Sequence, residues 1–241
     1  MIRVGVIGHA GRMGSEVCAT VDRDDELQLV ARVGRGDDLR ALVDAGADVA
    51  VEFSTPESVR ENVFFCVDHG IHTVVGATGL TPSDLDEISR RMKESGARVV
   101  VAPNFSTGAV LMMAFAATAA SYFDSVEVIE RHHEKKLDAP SGTAVRTVEV
   151  MNEARARPWP EAAGGPADSR GLLQDGVRIH SVRLPGSVAH QEVIFGGVGE
   201  TLTIRHDSLD RSSFMPGVVL AIKRVATLDG LTVGLENLLG L

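Results

Sequence analysis

Residues 130–144 read Glu-Arg-His-His-Glu-Lys-Lys-Leu-Asp-Ala-Pro-Ser-Gly-Thr-Ala. Two adjacent imidazoles, His132 and His133, are followed by Lys136 and then by Ser141, Gly142 and Thr143. The pair can supply a general acid and an anion contact near neutral pH. Lys136 can bind a carboxylate and stabilise negative charge as it develops. Ser141, Gly142 and Thr143 offer hydroxyls and backbone N–H groups at a helix start, which is a ready carboxylate site. Singly, paired histidines fit a surface and a Ser-Gly-Thr cap fits any helix start. In this order they suit the reduction of an anionic substrate. A zinc site on His9, His132 and His133 is a poor reading, because no second cluster of ligands has the usual spacing.

A second chemical signal lies at the front of the chain. Gly8-His9-Ala10-Gly11-Arg12-Met13-Gly14 follows an apolar run and opens a helical pattern. The spacing GxxGxxG is a variant of the dinucleotide fingerprint. One glycine permits the tight turn, another lets backbone N–H groups reach a pyrophosphate, and the last lets helix and strand pack closely. An acid for the adenosine ribose is expected about 20 residues on. Here the stretch reads Ala31-Arg32-Val33-Gly34-Arg35-Gly36-Asp37. It has no acid at the strand tip and two flanking arginines. Arginine there suits the 2′-phosphate of NADP, and this reading is preferred over two solvated surface residues. NADPH is therefore expected to serve at least as well as NADH. Gly76-Ala77-Thr78-Gly79 and Ala102-Pro103-Asn104-Phe105 close two later strands, where open α/β sheets bind ligands.

These groups need a frame. Residues 2–7, 27–33, 49–53, 72–76 and 98–102 read as Val-rich strands, with helices at 12–23, 37–44, 57–69 and 81–94 between them. Little alternation within the strands points to burial on both faces. Alternating β and α predicts a Rossmann-type doubly wound parallel sheet. Beyond Asn104 the pattern changes. Helices are expected at 110–123 and 141–156 and a strand at 125–130. A long mobile Pro/Gly/Ala-rich loop is expected at 158–176, then strands of antiparallel character at 178–183, 190–196 and 200–207. A helix at 214–227 and a strand at 231–234 end the chain. The reading is a dinucleotide-binding domain of 1–104 plus 214–241 and an α+β domain of 105–213 with a mixed, largely antiparallel sheet.

A net charge of -9 argues against nucleic-acid or membrane-surface binding, both of which want a basic footprint. The two cysteines, Cys18 and Cys66, form no metal or disulfide pattern. With no signal-like start and no long apolar run, the expectation is a cytoplasmic protein.

The 130–144 stretch resembles the signature of the 4-hydroxy-tetrahydrodipicolinate reductase family, also called dihydrodipicolinate reductases. Their pattern is roughly E-x-H-H-x-x-K-x-D-A-P-S-G-T-A, and every fixed position is matched. The likeness extends to the glycine loop, Gly76-x-Thr78-Gly79, Ala102 to Ser106, His190, Gly199-Glu200, His206 and Arg211. It implies reduction of a cyclic dicarboxylate on the way to diaminopimelate and lysine, with NADPH and/or NADH and no metal. It also implies that His132 donates the proton with Lys136 as its partner. His133, Lys136, Ser141, Gly142 and Thr143 would hold the substrate carboxylates. Gly8, His9, Ala10, Gly11, Arg12, Met13, Gly76, Ala77, Thr78, Ala102, Pro103, Asn104 and Phe105 would contact the cofactor, and the strand-tip reading adds Gly34 and Arg35. The family implies a homotetramer joined through the second domain's sheet, with two domains closing over the substrate. Members often carry an acid near the second strand's end, where this chain has Gly34 and Arg35. Two rivals remain at this level: another two-domain reductase such as an amino-acid dehydrogenase, and a sensing module that binds NAD(P)H without catalysis.

Overall fold

Short Val-rich runs separated by polar helices leave the chain one way to bury its apolar residues, which is to stack the runs as parallel strands between helices. The computed structural model describes residues 1–160 and 169–241. It begins with β1 (Ile2–Ile7), α1 (Arg12–Val21), β2 (Leu27–Val33), α2 (Arg40–Asp44), β3 (Val49–Glu52), α3 (Val59–Asp68), β4 (His72–Val75), α4 (Pro82–Ser95) and β5 (Val99–Val101). There follow α5 (Thr107–Ala120), β6 (Ser125–His132), α6 (Gly142–Ala154), β7 (Leu172–Gln174), β8 (Val177–Arg183), β9 (Ala189–Gly197) and β10 (Glu200–Ser208). The chain ends with α7 (Met215–Arg224), β11 (Leu231–Val233) and α8 (Glu236–Leu239).

Two compact units result. The first holds Met1–Ser106 and Phe214–Leu241, the second Thr107–Ser213. In the first, six parallel strands lie in the order β11-β5-β4-β3-β1-β2. Val4, Val6, Val49, Ala50, Val51, Val74, Val75, Val99 and Val100 are all buried, as strands covered on both faces must be. The chain moves from β1 outward to β2 and then back to β3 on the other side. That reversal puts the loop after β1 at the switch point of the sheet. Helix α4 shows how local chemistry sets the limits. Thr81 and Asp84 form a reciprocal capping box, Pro82 opens the first turn, and Gly96 ends the helix at φ 76°.

In the second unit the order is β10-β9-β6-β8-β7. Strand β6 runs antiparallel to β9 but parallel to β8, so the sheet is mixed. The antiparallel character expected of 178–183 holds only toward β7.

Several expectations need correction. The loop expected at 158–176 contains strand β7, joined to β8 through Asp175 and Gly176, both at positive φ. That is the preferred two-residue hairpin turn, and the Asp-Gly pair was there to be read. Trp159 in the same stretch is buried and donates its indole N–H to Asn152 Oδ1 at 2.7 Å. Residues 161–168, the middle of that expected loop, lie outside the described residues. Helix α2 starts three residues later than expected, because Asp37 is drawn back to the strand tip and Asp38 Oδ1 accepts the Arg40 N–H at 2.9 Å. Helix α5 lies three residues earlier than expected, the segment after Ala120 leaving the helix in a turn. The helix expected at 214–227 is α7 flanked by tighter 3-10 turns at Arg211–Phe214 and Val225–Thr227.

Candidate active site and dinucleotide cavity

The glycine loop is built by exclusion. Gly8 has φ 81°, and a Cβ on it would lie 2.6 Å from the carbonyl of Phe53. A Cβ on Gly14 would overlap the Gly8 carbonyl, so α1 can approach β1 only with glycine there. Beyond the loop opens a cavity of about 680 Å³, lined by Gly8, Ala10, Gly11, Gly34, Arg35 and Phe53 among others. Its size and its place at the switch point fit the adenosine half of a dinucleotide.

The strand tip differs from the acid-free reading. The Asp37 carboxylate turns back and accepts the Gly34 N–H at 2.7 Å. Asp37 and Glu57 line the cavity together with Arg35. Arg32 points elsewhere, forming an exposed pair with Asp22 at 3.2 Å. His9 reaches the same tip. Its Nε2 would lie 3.2 Å from a Cβ on Gly34. Arg12 and Met13 begin α1.

Gly76, Ala77 and Thr78 follow β4, and Ala102, Pro103, Asn104 and Phe105 follow β5. They are not among the described residues that line the cavity, but Phe53 connects them to it. Its ring packs on Phe105, with centroids 5.6 Å apart, and fills the space a side chain at Gly76 would need. Asn104 Oδ1 accepts the Ser106 N–H at 2.8 Å.

Sequence reasoning missed Phe53, Ser54, Ser58 and Asn62, which form one wall of the cavity. Behind them lies Glu52, fully buried. Its Oε1 accepts from Asn62 Nδ2 at 3.0 Å and from the amide and hydroxyl of Ser54. Its Oε2 has no partner among the described residues. Burial pushes this carboxyl above the usual range, against the opposing hydrogen bonds from Ser54 and Asn62.

The second unit assembles the 130–144 motif on a strand, a loop and a helix. His132 ends β6, and its Nδ1 lies 2.6 Å from Glu130 Oε2. Glu130 is fully buried, and Arg183 on the adjacent β8 grips it with both Nη atoms at 2.8 and 2.9 Å. Burial alone would raise the Glu130 carboxyl. Hydrogen bonds from His132, Arg183 and Ser181 outweigh burial and bring it down to about 2. His133 and Lys136 sit in the following turn, where the Lys136 N–H donates to the His133 carbonyl at 3.1 Å. Lys136 Nζ pairs with Asp138 Oδ2 at 2.8 Å and holds that carboxyl below its usual range.

Ser141 caps α6 by accepting the Ala144 N–H at 3.2 Å. Gly142 and Thr143 form the first turn, and a Cβ on Gly142 would meet nothing within 4 Å. The helix start is therefore unobstructed on that side, and it carries the partial positive charge of a helix N-terminus. Glu130 belonged to the motif, but its partnership with Arg183, 53 residues away, carried no local signal.

A glycine turn at the switch point of a parallel sheet, with a separate centre for protons and anions, defines the class: a Rossmann-type oxidoreductase that takes a nicotinamide dinucleotide. Residues 2–105 match the family model described as "Dihydrodipicolinate reductase, N-terminus", and residues 108–239 match its C-terminal counterpart. The 4-hydroxy-tetrahydrodipicolinate reductase of Streptomyces griseus is 54% identical across 100% of this chain and 98% of its own length. That of Nocardia farcinica is 53% identical across 100% and 99%. Among solved structures, the dipicolinate-bound dihydrodipicolinate reductase from Paenisporosarcina sp. TG-14 superposes with a TM-score of 0.88. It is 39% identical and the match covers 98% of this chain and 99% of that one. An amine dehydrogenase from Mycobacterium smegmatis shares the fold at 15% identity, with a TM-score of 0.62 over 94% of this chain and 93% of that one. The chain belongs to the dihydrodipicolinate reductase family.

Proposed function

We propose that this chain reduces 4-hydroxy-tetrahydrodipicolinate to tetrahydrodipicolinate with NAD(P)H, in the diaminopimelate route to lysine. The observation that carries this reading is the strand, loop and helix of the second unit. There an imidazole held by a buried carboxylate is followed by Lys136 and an open, positively polarised helix start. The Paenisporosarcina relative holds dipicolinate, and this site offers what a cyclic dicarboxylate needs: Lys136, His133, the hydroxyls of Ser141 and Thr143, and the backbone N–H groups of Gly142 and Thr143.

The dinucleotide, when bound, supplies the hydride. Its pyrophosphate is assigned to the loop of Gly8, His9, Ala10, Gly11, Arg12 and Met13, and its adenosine end to Gly34 and Arg35. Its nicotinamide end is assigned to Gly76, Ala77, Thr78, Ala102, Pro103, Asn104 and Phe105. His132 gives a proton from Nε2 to the atom that hydride addition leaves electron-rich, and Lys136 stabilises the charge formed there. Dinucleotide binding is assigned to residues 1–104 and 214–241, and substrate binding and assembly to 105–213.

Both cofactors are expected to serve. Arg35 can meet a 2′-phosphate, while Asp37 stands at the same strand tip as an acceptor for a ribose hydroxyl. A cytoplasmic setting agrees with two free, buried cysteines. No helix among the described residues is long and apolar enough to cross a membrane. For assembly we propose a homotetramer through the five-stranded sheet. Its strand β9 buries Gln191, Val193 and Phe195, while the alternate residues His190, Glu192 and Ile194 stay half-buried on the other face.

The test is NADPH and NADH oxidation by the purified chain, with substrate generated in place from pyruvate and aspartate semialdehyde by the preceding enzyme. Substrate-dependent oxidation is expected with both cofactors, and His132→Gln should lower turnover by on the order of 10²-fold or more. A protein that binds either dinucleotide yet oxidises neither would overturn the reading.

A further inference from the structure

Glu130 has no assigned role, yet its carboxylate is the hub of the second unit's site. Oε2 accepts from His132 Nδ1 at 2.6 Å and from Arg183 Nη1 at 2.9 Å. Oε1 accepts from Arg183 Nη2 at 2.8 Å and from the Ser141 N–H at 3.2 Å. Arg183 in turn donates to the Asp138 carbonyl at 2.7 Å, tying down the loop that carries Lys136. A buried carboxylate paired with a guanidinium is ionised and can only accept hydrogen bonds. The ring nitrogen facing it must therefore be the donor, which leaves Nε2 as the nitrogen free for chemistry.

We infer that Glu130 is the positioning residue of this site. It fixes His132 with Nδ1–H on the carboxylate and Nε2 turned away. Through Ser141 it also holds the anion-binding start of α6 at a set spacing from that imidazole. The inference rests on the proposed role of His132 as proton donor. At transfer the Nε2–H bond breaks and the proton joins the electron-rich atom of the reduced substrate. The ring keeps its Nδ1–H on Glu130, and water later restores the Nε2 proton. Glu130 stays ionised throughout, as a carboxylate behind an imidazole does in other acid–base centres. Arg183 makes this possible, because a lone buried carboxylate would be costly and would take the proton itself. The Arg183 side chain is held between Glu130 and the Asp138 carbonyl, so its charge is committed to this role rather than to a ligand.

Two measurements on the full chain test this. Nitrogen-15 spectra, with His132 assigned by its loss in His132→Gln, report which ring nitrogen bears hydrogen in the neutral imidazole. The expected result is a protonated Nδ1 and a bare Nε2, and a neutral ring protonated on Nε2 would overturn the inference. In Glu130→Gln one oxygen remains as acceptor while the charge is lost. Its kcat should fall by on the order of 10²-fold, with a larger solvent isotope effect on kcat and a cofactor KM within about twofold of wild type. A kcat within about threefold of wild type would overturn it. If the Gln variant fails to fold, the wild-type spectrum still decides. Failure of the underlying reading looks different: His132→Gln would keep its turnover whatever the spectrum shows. If His132→Gln is inactive and Glu130→Gln is not, only the present inference falls.

Discussion

Lys136 Nζ lies 2.8 Å from Oδ2 of Asp138, two residues further along the same loop. In the proposed site a substrate carboxylate competes with Asp138 for the charge of Lys136. Asp138 is more than half exposed, so the pair is worth no more than about 1 kcal/mol. Asp138→Asn removes the competitor, and substrate KM should fall by roughly two- to fivefold with kcat little changed. Steady-state kinetics at low ionic strength would show it. An unchanged or higher KM would mean that Asp138 instead holds the lysine where the substrate needs it.

Arg35 and Asp37 put opposite charges on one cavity wall. A 2′-phosphate gains from Arg35 what a ribose hydroxyl does not. Arg35→Ala should therefore lower kcat/KM for NADPH by about tenfold while NADH stays within about twofold. Equal losses with both cofactors would remove Arg35 from any part in discrimination. Arg32→Ala should leave the ratio alone, since that side chain is turned to Asp22.

The parts of the fold that a reader of the sequence can recover are those with local causes. Val-rich runs, the Thr81 and Asp84 capping box and the glycine loop each announce their structure within a few residues. The Asp175-Gly176 turn was local and still escaped, but the partnership at the centre of the site depended on distance in the chain. Arg183 meets Glu130 because β6 and β8 are neighbours in a parallel register that places His132 opposite Arg183. No spacing rule encodes that pairing. Asp37 stood in plain view, but only the turn at Gly34–Gly36 shows that it returns to the strand tip. Phe53 looked like the last residue of a strand, and its ring became a wall of the cavity because Gly76 leaves room for it.

Glu52 behind the cavity wall makes a pH signature. The folded protein holds its proton more tightly than the unfolded chain, whose carboxyl titrates near 4.5. Stability from this group is thus present below that pH and is lost as pH rises through the higher folded value. The nearby Cys66 thiol, pushed up to about 12 by burial, stays neutral over the same range. Glu52→Gln keeps the oxygen that serves Ser54 and Asn62 and cannot ionise. Urea melts should show its stability relative to wild type improving as pH rises above about 4.5. A difference that is flat in pH, or that favours the variant only in acid, would contradict a raised carboxyl.

Glu130 predicts the opposite slope. Its folded carboxyl is lowered to about 2 from 4.5, so its stabilisation is complete above the upper value and drains away as pH falls toward the lower. Wild type should lose its advantage over Glu130→Gln across that interval in the same urea experiment. A gap that persists undiminished at the acid end would place the lowered carboxyl elsewhere.

Gly142 separates a role in binding from a role in folding. A methyl group there meets nothing within 4 Å, and the residue is not at positive φ. Alanine would cost no packing and would restrict the unfolded chain, so Gly142→Ala should leave stability unchanged or raise it by up to about 1 kcal/mol. The same methyl would stand at the first turn of α6, beside which a carboxylate is proposed to sit. Substrate KM should rise by at least about tenfold while cofactor KM and the melting curve hold. A variant that is both as stable and as tight for substrate as wild type would show that the glycine at the start of α6 is not there to admit the substrate.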